Sequence, residues 1–334
     1  MIDLTAETLA FIFLGLLGLS VMIYAILDGY DLGVGLLFPM QNENQRDQMI
    51  ASIGPFWDAN ETWLVLAVGI LLIAFPGAHS LVLEELYLSS ALMLVGLILR
   101  GVAFDFRAKA MARQKRWWDW SFKLGSLLVA LTQGYMIGRY VTGFEHSVSA
   151  TGFALLSAVC VAAAYAYIGG AWLVMKTSGE LQRRAARWTR YAGGLTALGI
   201  IAVSVTNLLI SEQVAERWMT LPNAILLLPL PLISTFLMFA VDYYLQRVPL
   251  ADDMGSGFPF LGIIVLFILS FTGLAYSYFP YVVPYQLLAT DVASAESSLR
   301  FILVGVVVVL PMILAYTAIS YRVFWGKSSE LRYY

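Results

Sequence analysis

Nine apolar runs decide what this chain can fold into. Each is long enough to cross roughly 30 Å of hydrocarbon at about 1.5 Å of rise per residue. They fall near 8–38, 53–75, 81–104, 122–142, 151–175, 190–211, 221–244, 258–280 and 299–324. Backbone polar groups in lipid must be satisfied within the segment, so each run is expected as a helix. Hydrophobic residues make up 60% of the 334 positions and charged residues 13%, against about 25% charged in soluble domains. The expected class is therefore an all-α, multi-pass membrane protein. The start, Met1 to Glu7, lacks a basic n-region, and the run after it is too long for an h-region, so no secretory signal peptide is expected.

Lysine and arginine set the expected orientation. Nine crossings put seventeen of the twenty basic residues on the side reached after the first helix. Only Arg139, Arg217 and Arg300 fall on the other side. The positive-inside rule then places the N-terminus in the periplasm and the C-terminus in the cytoplasm. Two inner loops, Arg107–Arg116 and Arg183–Arg190, are strongly basic, which suits anionic lipid headgroups. Trp117, Trp118 and Trp120 suit an interfacial belt. Pro229, Pro231 and Pro311 lie inside runs and predict kinks. Val102–Phe106 and Ala240–Tyr243 echo each other four helices apart. That echo suggests two four-helix halves, 1–145 and 146–285, with 286–334 carrying a ninth, peripheral helix.

Within this apolar frame the acids stand out. Asp58, Asn60 and Glu61 lie in Gly54-Pro-Phe-Trp-Asp-Ala-Asn-Glu-Thr-Trp63, at the head of the second run. Asp28 and Asp31 lie in Asp28-Gly-Tyr-Asp-Leu-Gly-Val-Gly35, toward the end of the first. Each pair has i, i+3 spacing, which puts both acids on one helix face. An ionisable group in hydrocarbon costs a few kcal/mol, roughly 2.5–3.5 on insertion scales, and so marks either a proton path or a concealed contact. Asp58 and Glu61 are expected deeper than Asp31 and Asp105. Asp105 and Arg100 are expected to end the third helix at the inner surface. Capping of helix ends or pairing with Arg100, Arg107 and the basic loops is the simpler alternative to a relay. Gly29 and Gly33 form a small-x-x-x-small pattern that permits close helix contact.

Redox and metal chemistry find little support in these residues. The two histidines, His79 and His146, fall at outer turns, and Cys160 is the single cysteine. A membrane b-type haem takes His or Met ligands from helices, so no haem and no metal site is expected on this chain. Glu84 and Glu85 are expected to cap the third helix, Arg139 to snorkel outward, and Tyr276–Tyr285 to sit at the interface. The net charge of −2 argues against nucleic acid.

Three segments, Asp28–Gly35, Gly54–Leu64 and Arg100–Arg107, together resemble subunit II of the cytochrome bd quinol oxidases. The Asn60-Glu-Thr-Trp63 form is similar to the cyanide-insensitive branch. The resemblance implies a larger partner, subunit I, that carries two b-type haems, one d-type haem and the quinol site. It implies quinol oxidation, O2 reduction to water and cytoplasmic proton uptake without pumping. Asp58 is then the first relay candidate, followed by Asp28, Asp31 and Glu61. Asp105 and Arg100 become candidates for the pathway mouth or for subunit packing. The resemblance also leaves room for small single-helix accessory subunits and for a bound quinone. From the residues alone, a proton-coupled secondary transporter and a scaffold without a proton role are the rival readings.

Overall fold

The computed structural model describes residues 5–249 and 253–328, without the side chains of residues 112 and 113. The order is α1 (Ala6–Leu36), α2 (Glu43–Ile53), α3 (Trp57–Ala74), α4 (Pro76–Lys109), α5 (Ala112–Val141), α6 (Val148–Lys176), α7 (Gly179–Ile210), α8 (Glu212–Met219), α9 (Asn223–Leu227) and α10 (Pro229–Leu245). There follow α11 (Phe258–Tyr278), a small antiparallel hairpin of β1 (Tyr281–Val283) and β2 (Leu287–Leu288), α12 (Ala289–Val292) and α13 (Glu296–Val323).

Among the described residues, eight helical segments are long and apolar enough to cross a membrane, counting α9 and α10 as one. The expected ninth, 122–142, lies within α5, which is 30 residues long. Its apolarity is diluted by Ser126, Thr132, Gln133 and Arg139, all buried. That composition is tolerable because α5 packs between α4 and α6.

Several boundaries differ from expectation for identifiable reasons. The second run is led by a separate polar helix, α2, capped by Asn42, and α3 begins only at Trp57. Pro76 starts α4 in the first-turn position that suits proline. The 76–80 segment is therefore helical, and Glu84 and Glu85 sit well inside α4 rather than capping it. Arg183–Arg190 is not a loop but the opening of α7. Arginine is a good helix former whose long stem lets the charge reach water. Pro229 opens α10 after a break from α9, while α13 runs on through Pro311. Arg139 does not snorkel. It is buried and donates to the Phe144 and Glu145 carbonyls at 3.0 and 2.5 Å, with Glu85 at 3.4 Å.

α1 is the hub, packed against α3, α5, α6, α11 and α13. Residues 28–35 are all buried. The approach of α6 is close enough that a Cβ on Gly33 would lie 1.8 Å from the Tyr165 carbonyl oxygen. One on Gly29 would lie 2.7 Å from the Tyr165 ring. The small-residue spacing thus serves one helix crossing. An aromatic cluster fills the same end of the bundle: Tyr30 stacks on Trp172 at 4.3 Å, and Phe56 on Tyr321 at 4.5 Å, between ring centroids.

The segment after α13 is latched to the end of α6. Lys176 donates to the Phe324 and Gly326 carbonyls at 2.8 and 3.2 Å. Lys327 donates to those of Met175 and Thr177 and pairs with Asp253. Partial burial opposes ionisation of Asp253, but donors from Lys327, Gln182 and Ser256 outweigh it and hold its carboxyl below the usual range. The contact is thus fully formed at neutral pH and weakens only as pH falls through that depressed value.

Gly33→Ala is expected to cost the upper end of the ~1–3 kcal/mol typical of overpacking, because backbone rather than a flexible side chain blocks the methyl. Gly69→Ala, where an added Cβ meets nothing within 4 Å, is expected to be neutral. Thermal melting of the purified protein, read for both variants, checks the contrast.

Candidate functional site

One arginine gathers the acids of two helices. Arg100 of α4 is fully buried, as are Asp28 and Asp31 of α1. Its Nη1 donates to Asp28 Oδ1 at 2.6 Å and to Glu61 Oε1 at 2.9 Å. Its Nη2 lies 3.7 Å from Asp31 Oδ2. The i, i+3 spacing in α1 presents both aspartates to this guanidinium. Burying an ion costs several kcal/mol unless partners replace its water, and breaking such a pair is correspondingly destabilising.

A second donor steadies Asp31. Asn60 Nδ2 reaches Asp31 Oδ2 at 2.8 Å, the Tyr30 hydroxyl at 2.9 Å and the Leu27 carbonyl at 3.3 Å. The Tyr30 hydroxyl pairs with that of Tyr321 at 2.6 Å, tying α13 to the cluster. One turn before Asp28 on the same face of α1, Tyr24 accepts from Gln133 of α5 at 2.5 Å, and Gln133 accepts from Tyr165 at 2.6 Å.

The acids differ in access. The side chain of Glu61 is 27% exposed and is the cluster member that reaches the surface of the chain. Asp58 precedes it by one turn and is exposed at the surface of the chain. The reason is that α3 starts at Trp57, which leaves Asp58 in a first turn where negative charge is favoured. Arg100 does not end its helix, since α4 continues to Lys109. It lies at the centre of the acids, whereas Asp105 is exposed and apart from them. Asp31, expected near the interface, is fully buried.

A second ionic knot lies beside the first. Buried Asp119 accepts from Arg107 Nε at 2.6 Å and lies 2.8 Å from Arg46 Nε. Arg107 also meets Asp47 at 2.7 Å. Arg46 donates to the Met40 carbonyl at 2.9 Å, and Lys123 to that of Phe38, also at 2.9 Å. This knot fastens α2 and its leading turn under α4 and α5, and so fixes where α3 begins.

Metal ligation finds no framework: among the described residues no group of three or more His, Cys, Asp or Glu could hold an ion. His146 is 77% exposed and pairs with Glu85, and His79 is half-buried at the start of α4. Neither is placed as a buried axial ligand, so these residues do not fit a haem.

A sequence profile of the family described as "Cytochrome bd terminal oxidase subunit II" matches residues 9–324. The chain belongs to this family. It resembles the cytochrome bd-I ubiquinol oxidase subunit 2 of Escherichia coli K12, with 29% identity over 97% of this chain and 96% of that one. It also resembles the cytochrome bd ubiquinol oxidase subunit 2 of Bacillus subtilis, with 28% identity over 92% and 93%. The bd oxidase structure from Geobacillus thermodenitrificans shares the fold, with TM-score 0.77, 16% identity, and coverage of 95% and 98%. This protein is thus a multi-pass subunit II of a bacterial inner-membrane quinol oxidase, a respiratory oxidoreductase complex. Membership in this family removes the transporter reading.

Sequence reasoning missed Asp119, Arg46, Tyr24, Gln133, Tyr30, Tyr165 and Tyr321. Gln133 carried a signal as an uncharged polar residue inside an apolar run. Asp119 was overshadowed by its tryptophan neighbours, and the tyrosines had none. Asp119→Leu is expected to cost about 3–5 kcal/mol by stranding Arg46 and Arg107. Asp105→Asn should stay within about 0.5 kcal/mol, as surface changes usually do. Thermal unfolding of the two variants checks both figures.

Proposed function

We propose that this subunit delivers cytoplasmic protons toward the oxygen-reducing centre of its partner through the Arg100 cluster. Asp58 gathers the proton at the start of α3, Glu61 exchanges it at the surface of the cluster, and Asp28 and Asp31 hold the buried end. The geometry around Arg100 carries this reading. One guanidinium cannot neutralise three carboxylates, and a low-dielectric interior tolerates such an excess poorly, so the cluster is a natural resting place for a proton. Arg100 organises the relay rather than marking its mouth, and Asp105 stands at the inner edge. Which acid loads first belongs to the group and not to one residue.

The same reading places nine crossings, with α5 as the additional one, an N-terminus in the periplasm and a C-terminus in the cytoplasm. Three features support it: the distribution of basic residues, the burial of α5 between its neighbours, and the gathering of Arg46, Arg107, Arg183 and Lys327 at the end of the bundle that holds the acids. The halves 1–145 and 146–285, followed by 286–334, divide these crossings into two groups of four and one. The haem-bearing subunit I is the partner, holding two b-type haems and one d-type haem. The exposed face of α3 that bears Asp58 and Glu61 is the surface that meets it. A bound quinone and small single-helix accessory subunits are compatible with the remaining lipid-facing helices.

Glu61→Gln keeps the hydrogen bond to Arg100 but cannot carry a proton. Turnover of the purified two-subunit oxidase is expected to fall by about a hundredfold, the lower end of what a positioned proton-transfer group contributes, with haem content unchanged. Asp58→Asn is expected to fall less, because Glu61 and not Asp58 is bonded to Arg100. Quinol oxidase activity together with proton uptake by the reduced enzyme on adding O2 checks the pair. Full activity of Glu61→Gln would remove the relay reading and leave a scaffold.

A further inference from the structure

Three side chains carry a hydrogen-bond line that ends at Tyr24 of α1, one turn before Asp28 on the same helix face. Tyr165, Gln133 and Tyr24 are all buried. The Tyr165 hydroxyl donates to Gln133 Oε1, so the amide nitrogen of Gln133 faces Tyr24 and donates to its oxygen. The Tyr24 hydrogen is thereby free to point away from Gln133. Asp28 lies four residues on, on the same face of α1 as Tyr24. Arg100 takes Asp28 Oδ1, while the buried Oδ2 has no hydrogen-bond partner. The Tyr24 hydroxyl is thus a donor not used by Gln133, one helix turn from an unpartnered carboxylate oxygen.

Packing explains how the line is held in place. The Tyr165 ring lies over Gly29, where a Cβ would come within 2.7 Å of it. Its far face stacks on Phe267, with centroids 6.4 Å apart. Val129 and Ala130, one turn before Gln133, are buried in the same cluster. An uncharged amide in such apolar surroundings is costly unless both ends are hydrogen-bonded, and here both are.

We propose that Gln133 is a positioning residue for the acid cluster. Through Tyr24 it steadies the Asp28 carboxylate in the pose that lets one Arg100 nitrogen serve Asp28 and Glu61 together. This rests on the reading of the Arg100 cluster as a proton relay. The line does not itself carry protons to oxygen, since an amide link does not pass them on. It fixes the geometry of the acids that do.

The test uses the whole oxidase with Gln133→Met and, separately, Tyr24→Phe, each checked for haem content. Four quantities are read: kcat at saturating quinol, KM for quinol, the solvent deuterium effect on kcat, and proton uptake. The expected result is a kcat lower by about tenfold, the rate change that one misplaced hydrogen bond of ordinary net strength produces. KM and haem content should be unchanged and the deuterium effect larger, and the double variant should be no slower than either single one. Wild-type kcat and deuterium effect in both variants would overturn the proposal. If Gln133→Met does not assemble, Tyr24→Phe decides alone, since it removes a single oxygen. Failure of both to assemble would make the line a packing element and likewise overturn the proposal. Glu61→Gln measured alongside separates the two claims. An inactive Glu61→Gln with normal Gln133→Met sinks only the positioning role, whereas an active Glu61→Gln sinks the relay beneath it.

Discussion

The buried contact between Arg100 and Asp28 is the interaction on which the rest depends. It joins the end of α1 to the middle of α4 through a 2.6 Å hydrogen bond. Neither ion is tolerable without the other, since the cost of an unpaired buried charge far exceeds the net gain of the pair. The pair therefore specifies more than it stabilises. It sets the rotation of α1, and with it which face meets α6 through Gly29 and Gly33. It also fixes where Asp31 and Asn60 meet. Glu61 joins the same guanidinium from a third helix and is the cluster member that reaches the surface of the chain.

Much of the fold was legible in the sequence because lipid leaves few choices. Apolar runs of more than about eighteen residues form helices since no other element satisfies the backbone there. The four acids of α1 and α3 were conspicuous for the same reason. Depth was harder to read. Hydropathy placed Asp58 inside the second run, but the buried knot of Asp119 with Arg46 and Arg107 fixes the segment before α3 and leaves Asp58 at a first turn. Arg100 looked like a helix end because Arg107 and Lys109 follow it, yet lysine and arginine extend α4 as readily as they end it. The polar partners of the acids were hidden because they are isolated tyrosines and amides spaced far apart in sequence. Contacts such as Tyr30 with Tyr321 leave no periodic trace.

The arrangement also explains how an apolar chain can house so many charges. Seven of the buried or partly buried charges gather into two knots at one end of the bundle, Arg100 with Asp28, Asp31 and Glu61 and Asp119 with Arg46 and Arg107, while Arg139 with Glu85 stands apart from them. Guanidinium suits this task because its planar fork serves several carboxylates at once and stays protonated. Outside the knots, the long helices present aliphatic and aromatic side chains, and α13 exposes most of its length. A subunit with this division can donate acids to a shared interface while lipid covers the rest.

A double-mutant cycle on the assembled oxidase tests the central contact most directly. Thermal stability is measured for Arg100→Met, Asp28→Asn and the two combined. The account predicts strong coupling: the combined variant should be no less stable than Arg100→Met alone, with an interaction energy of about 2 kcal/mol or more. Losses that simply add, within about 0.5 kcal/mol, would mean that the two side chains do not hold each other, and would contradict it.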